Sequence, residues 1–151
     1  MNFYKLIGRI TKVKKAYAHC DIPCGIYDPI SAKIAAQTVL KMTIKIEASA
    51  NNPDANSLTR FIAAKEKHAE LVKHEIDILW HDYFKPEHLE KYPDLHTKVW
   101  NTTKLAASNK QNVDSKSAGQ LVDSVDEIAS IFWATKGVDY ADSVAKIRFG
   151  A

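Results

Sequence analysis

From Leu58 to Tyr83 the chain repeats an alternating spacing of four and three residues: Leu58, Ile62, Lys65, Ala69, Val72, Ile76, Leu79 and Tyr83. Only Lys65 breaks the apolar character of this seam. A heptad stripe of that length, with charges elsewhere, requires a helix packed against other helices along one face. The helix is expected to end near Lys85-Pro86, because a residue preceding proline avoids helical backbone. The same period recurs upstream, where Pro29 suits a helix start and Ala32, Ala35, Val39, Met42 and Ile46 form a stripe. Asn51-Asn52-Pro53-Asp54 interrupts it.

Downstream, Pro86 and Pro93 mark a short turn. A third helix is expected from about Asp94, with Leu95, Val99, Thr102 and Ala106 inward. Residues 108–119 are polar and hold the next connection. A fourth helix carries Leu121, Val125, Ile128 and Phe132 and stops near Gly137. Only five glycines, with many Ala, Leu, Lys and Glu residues, agree with helices throughout. The expected fold is all-α, a four-helix bundle over residues 30–137. No apolar run approaches the length of a membrane span. Residues 138–151 fit no part of this pattern. Val144, Ile147 and Phe149 suggest either a short helix docked on a neighbour or a frayed tail.

Residues 1–18 differ in charge. They contain Lys5, Arg9, Lys12, Lys14 and Lys15 and no acid; the chain as a whole carries +3, so the remainder carries −2. The basic balance therefore belongs to this leader, and a nucleic-acid partner is not expected. Ala16-Tyr17-Ala18 resembles an A-x-A cleavage site, yet charges interrupt Leu6, Ile7, Ile10 and Val13, so a secretory apolar core is missing. This favours the cytoplasm. The alternative is a basic arm that stays attached.

The chemistry concentrates in His19-Cys20-Asp21-Ile22-Pro23-Cys24-Gly25-Ile26-Tyr27-Asp28-Pro29, which holds both cysteines of the chain. If His19 were the first residue, its free amine and the amide nitrogen of Cys20 would close one five-membered chelate ring on a metal. The Cys20 sulfur would close a second. A turn through Pro23 would return the Cys24 sulfur to the fourth corner. Two nitrogens and two sulfurs in a plane suit Ni(II) or Cu(II) rather than zinc, with the His19 ring able to reach an axial position. A metal that draws the amide proton creates part of its own site. Two cysteines this close also fit a disulfide or a redox pair, and a lone C-x3-C without a second pair is a weak zinc signature.

Other sites are poorly supported. His68, His74, His81, His88 and His96 have no glutamate three residues before them, as helical di-iron sites require. His74-Glu75 opens like a zincin motif, but Ile78 stands where the second histidine belongs. Most of these histidines are expected at the surface or an interface. Trp80, Trp100 and Trp133 are expected in the core or at an interface.

The string H-C-D-I-P-C-G-I-Y-D-P resembles the metal hook of nickel-containing superoxide dismutases. So do His81-Asp82-Tyr83-Phe84-Lys85-Pro86, Glu90-Lys91-Tyr92-Pro93 with Leu95-His96, and Ile131-Phe132-Trp133. The resemblance runs from about His19 to Gly137. It implies a homohexamer of four-helix bundles, a pro-segment cut by a peptidase between Ala18 and His19, and one nickel ion per subunit held by His19, Cys20 and Cys24. The implied reaction is disproportionation of superoxide. Asp21 and Tyr27 match positions that brace the hook and surround its open face, with Tyr83 in support. Lys85 either offers positive charge to the incoming anion or is a solvated lysine beside a proline. Pro23 shapes the loop, with a cis peptide as one option.

Two positions depart from the family pattern. The glutamate expected on the first helix, which holds the axial histidine ring, is Ala35 here. Its arginine partner on the second helix is His68. Both ends of one link change together, so no charge is stranded, but the orientation of the His19 ring is affected. Two other functions fit parts of the chain: a non-catalytic nickel or copper carrier, and a basic-armed binding module.

Overall fold

A computed structural model describes residues 25–51 and 54–150. Every regular element among them is helical. Helix α1 spans Ile30–Ala48, α2 Ala55–Ile78, α3 Pro86–Lys91, α4 Leu95–Gln111, α5 Ser115–Thr135 and α6 Ala145–Phe149. Helix α1 packs on α2 and α5, and α4 packs on the same two, so the four long helices close into a bundle with α1 and α4 on one diagonal. The core is built from the stripes read in the sequence: Ala32, Ala35 and Val39 of α1, Ala69, Val72 and Ile76 of α2, Leu95 and Ala106 of α4, and Leu121, Val125, Ile128 and Phe132 of α5 are all fully buried. No helix among the described residues is long and apolar enough to cross a membrane.

The helix ends follow local chemistry. Asp54 caps α2 by accepting from the Ser57 N–H at 2.9 Å, and Asp114 caps α5 through Lys116 N–H at 2.9 Å and Ser117 N–H at 3.3 Å. Helix α5 stops where Gly137 turns left-handed at φ +72° and the Val138 N–H reaches back to the Trp133 carbonyl at 3.0 Å. The helical backbone ends at Tyr83, near Lys85-Pro86 as expected, but its last turn is not α-helical. Its regular turns stop at Ile78, and Leu79–Tyr83 widen into a π-helical turn closed by the Phe84 N–H on the Leu79 carbonyl at 2.9 Å. The Pro86 segment, expected as a turn, is the short helix α3. The stripe of α1 also drifts: Met42 and Ile46 are half-buried, and Thr43 takes the inward position.

Lys65, the anomaly on the α2 seam, is buried and caps another helix. Its ammonium donates to the carbonyls of Asn109 at 2.7 Å, Lys110 at 3.0 Å and Asn112 at 2.8 Å. These belong to the C-terminal end of α4, where carbonyls lack partners within the helix. Burial pushes the Lys65 pKa down, opposed by the charge of Glu66. The buried Asn109 side chain joins the same region to α5 by donating to Ser117 Oγ at 3.0 Å.

Residues 138–150 fold back on α1 of their own chain. Gln37 donates to the Ala145 carbonyl at 3.1 Å and Lys41 to the Phe149 carbonyl at 3.0 Å. Arg148 grips Asp142 with two bonds, 2.8 and 3.0 Å, and Tyr140 stacks on Trp133 at 6.4 Å between centroids. Beneath them Lys33, 2% exposed, pairs with Asp142 at 3.0 Å and with Asp126 of α5, and lies 4.7 Å from the Tyr140 ring centre. Burial opposes the charge on Lys33, but bonds to Asp126, Tyr140 and Asp142 together raise its pKa. Lys33 and Gln37 are therefore polar residues buried on the outer side of α1, which helical periodicity alone leaves to solvent.

Two outcomes follow from these polar contacts. Replacing Lys65→Met leaves three helix-end carbonyls without their donor and is expected to cost about 2–4 kcal/mol. Urea unfolding should show a lower midpoint at unchanged slope. The bonds from Arg148 hold the Asp142 carboxyl at about 2 against a usual 3.8, although burial opposes this. A depressed folded pKa gives stability that is complete above 3.8 and is lost as pH falls toward 2. Across that window the parent should lose roughly 2 kcal/mol more than Asp142→Asn. Equal losses in a pH series of unfolding curves would show that this ion pair does not hold the tail.

Candidate metal centre

His19, Cys20, Asp21, Pro23 and Cys24 lie outside the described residues, so the description begins where the hook leads into α1. Gly25 has φ +69°, a left-handed conformation that a side chain would strain. Ile26 and Tyr27 follow. The Asp28 carboxylate accepts from the Ile30 N–H at 2.8 Å, and the Pro29 carbonyl accepts from the Lys33 N–H at 3.1 Å. The hook thus leads directly into α1, and its last residues are fixed by the first turn. A cleft of about 190 Å³ lies beside this root, lined by Ile26, Tyr27, Asp28, Glu75 and Leu79.

Tyr27 and Tyr83, paired by resemblance, meet in space with ring centroids 5.6 Å apart. The π-helical turn carries Tyr83 into a dense aromatic group. Phe132 lies 4.5 Å away, Phe84 5.3 Å, and the His88 ring stacks at 5.5 Å and 17°. The Tyr83 hydroxyl is 2.6 Å from Thr135 Oγ1. The Lys136 ammonium sits 5.2 Å from the Tyr83 ring centre, a cation–π contact. His88 Nδ1 accepts from the Lys85 N–H at 3.1 Å, so the neutral ring carries its proton on Nε2. Lys85 itself is exposed.

Sequence reasoning found the two tyrosines and placed Phe132 in the helix stripe, but missed Thr135, Lys136 and the stacking role of His88. Thr135-Lys136 lie one residue beyond the Ile131-Phe132-Trp133 string, which was the available signal. Trp80 and Trp133 are half-buried against the edge of the core, beside His96 at 5.3 Å and Tyr140 respectively. Trp100 is 56% exposed and covered only in part by Lys104. Ala35 is fully buried and contributes no polar group. His68 turns its Nδ1 back onto the Ala64 carbonyl of its own helix at 2.8 Å.

Among the described residues no cluster of three or more His, Cys, Asp or Glu side chains is arranged to hold a metal. The chain's two thiols both belong to the hook. A set of two thiolates with nearby nitrogen donors fits a soft-ligated nickel ion.

Comparisons with known proteins point to one family. A family model described as nickel-containing superoxide dismutase matches residues 14–136. The chain is 43% identical over 122 residues to the nickel superoxide dismutase of Streptomyces seoulensis, covering 81% of this chain and 91% of that protein. It is 44% identical over 119 residues to that of Streptomyces coelicolor, covering 79% and 88%. A native nickel superoxide dismutase structure superposes with a TM-score of 0.71 at 44% identity, over 78% of this chain and 99% of that one. A structure with nickel ligation corresponding to the oxidized state gives 0.71 at 42%, over 80% and 100%. The docked segment 138–150 lies beyond the span of the family model. With the hook string intact, its root packed on Tyr83 and the match extending over the whole bundle, this chain belongs to the nickel-containing superoxide dismutase family.

Proposed function

We propose that the hook carries the family activity in this chain: two superoxide anions and two protons become one dioxygen and one hydrogen peroxide. The observation that supports this most strongly is the unbroken donor string His19-Cys20-Asp21-Ile22-Pro23-Cys24, set directly before a helix whose first turn is fixed in the bundle. Nickel would be held by His19 through its amine and ring, by Cys20 through its thiolate and amide nitrogen, and by Cys24 through the second thiolate. When bound, nickel supplies a one-electron couple between Ni(III) and Ni(II). Anionic thiolate and amide donors favour the higher state, which accounts for sulfur at a site that makes a thiol oxidant. Asp21 braces the hook, and Tyr27, supported by Tyr83, lies at its open face and orders proton-carrying groups. The ammonium groups of Lys85 and Lys136 add positive charge near that face, which draws an anion.

The amine of His19 exists only after the bond to Ala18 is cut, so a processing peptidase is part of this reading. Assembly as a homohexamer belongs to it too, supported by family resemblance and by apolar side chains exposed on the bundle surface, Ile44, Ile62 and Trp100 among them. Cytoplasmic residence rests on the charges that interrupt the apolar residues of the leader. A carrier role would keep the hook without turnover, and no observation favours it.

The deciding experiment compares a nickel-loaded chain beginning at His19 with the same chain carrying one extra alanine in front. Dismutation in the first and its near-complete loss in the second is the expected result; nickel bound to both with no turnover in either would sink the dismutase reading. Cys20→Ser is expected to lower nickel from about one ion per subunit to near zero, by metal analysis, because it removes an in-plane thiolate. The thermal midpoint of the nickel-free chain should stay unchanged.

A further inference from the structure

The last turn of α5 ends in a hydroxyl with two short contacts. Thr135 Oγ1 lies 2.6 Å from the Phe132 carbonyl oxygen and 2.6 Å from the Tyr83 hydroxyl. A carbonyl oxygen only accepts, so the single proton of Thr135 is directed to Phe132. The other contact then takes its proton from Tyr83. The result is a one-way chain from Tyr83 O–H to Thr135 Oγ1, and from Thr135 O–H to the Phe132 carbonyl.

We infer that Thr135 is a positioning residue for the metal centre, acting by fixing the direction in which the Tyr83 hydroxyl donates. With its proton committed to Thr135, the Tyr83 oxygen is an acceptor only toward any other neighbour. The ring itself has little freedom, being held by Phe132, by the stacked His88 and by the Lys136 ammonium. Tyr83 therefore orders a proton donor, such as a water or another hydroxyl, rather than giving its own proton to the reacting oxygen. The inference rests on the reading that Tyr27 and Tyr83 border the hook.

The test separates the two ideas. In the nickel-free chain, the tyrosine Fermi doublet in ultraviolet resonance Raman spectra reports whether a phenol donates or accepts. Subtracting the spectrum of Tyr83→Phe isolates Tyr83. The parent should show a donor signature, Thr135→Val should lose it, and Thr135→Ser should restore it. In the loaded enzyme, Thr135→Val should lower the dismutation rate about fivefold, the effect of one neutral hydrogen bond. Thr135→Ser should rescue the rate, and the Val effect should vanish in a Tyr83→Phe background. A doublet unmoved by Thr135→Val overturns the inference, as does a moved doublet with an unchanged rate. If Tyr83→Phe by itself leaves the rate intact, Tyr83 does not serve the centre, and the inference falls for that separate reason. Thermal midpoints of both Thr135 variants guard against misfolding as the cause.

Discussion

One buried ammonium, that of Lys33, ties together three parts of the chain that sequence separation keeps far apart. It lies one turn into α1, against Asp126 of α5 and Asp142 of the C-terminal segment. A charge this deep is tolerated only when paired, since removing one partner leaves the other charge uncompensated. The pairing fixes α1 in rotation and along its axis, and α1 is the helix from whose first turn the hook departs. Metal geometry tolerates little misplacement, so a hook anchored on a wandering helix would serve poorly. Surface pairs such as Lys98 with Glu127 and Lys110 with Glu70 also link helices, but exposed pairs contribute little.

Lys65 solves a different problem with the same chemistry. A bundle leaves carbonyls unpaired at each helix end, and the end of α4 is partly buried, with Asn109 covered and Asn112 open to solvent. A long side chain from α2 reaches across and satisfies three of them. In the sequence this residue reads as a defect in a hydrophobic seam. In the fold it is the residue that ties the end of α4 and the start of its connection to α2.

The bundle was legible because its information is periodic: Ala69, Val72 and Ile76, or Leu121, Val125 and Ile128, mark their face by spacing alone. The hook string stands out in the sequence because its donor types and turn residues are contiguous, but its ligand residues lie outside the described residues. What escaped was set by contacts between distant residues. No local pattern announces that Gln37 and Lys33 will be covered by residues beyond 138, or that Thr135 will meet Tyr83. The π-helical turn was also invisible, since one wider turn shifts the register without changing composition. Tyr83 sits on the α2 seam by count and ends that turn, where its ring meets Tyr27. Resemblance singled out Tyr83; the packing of Phe132, His88 and Lys136 around its ring accounts for how it is held.

Helix α1 of an ordinary bundle has one face for the core and one for water. Here the segment after Gly137 adds a second buried side, running along Lys33, Gln37 and Lys41 at successive turns. For mutational tolerance, this turns a surface helix into something close to a central one. Substitutions at these three positions answer to hydrogen-bond geometry as well as to volume, while Ser31, Lys45 and Glu47 stay open to solvent. The constraint on this side of α1 comes from a segment that lies beyond the span of the family match, so it is set by this chain's own C-terminal residues.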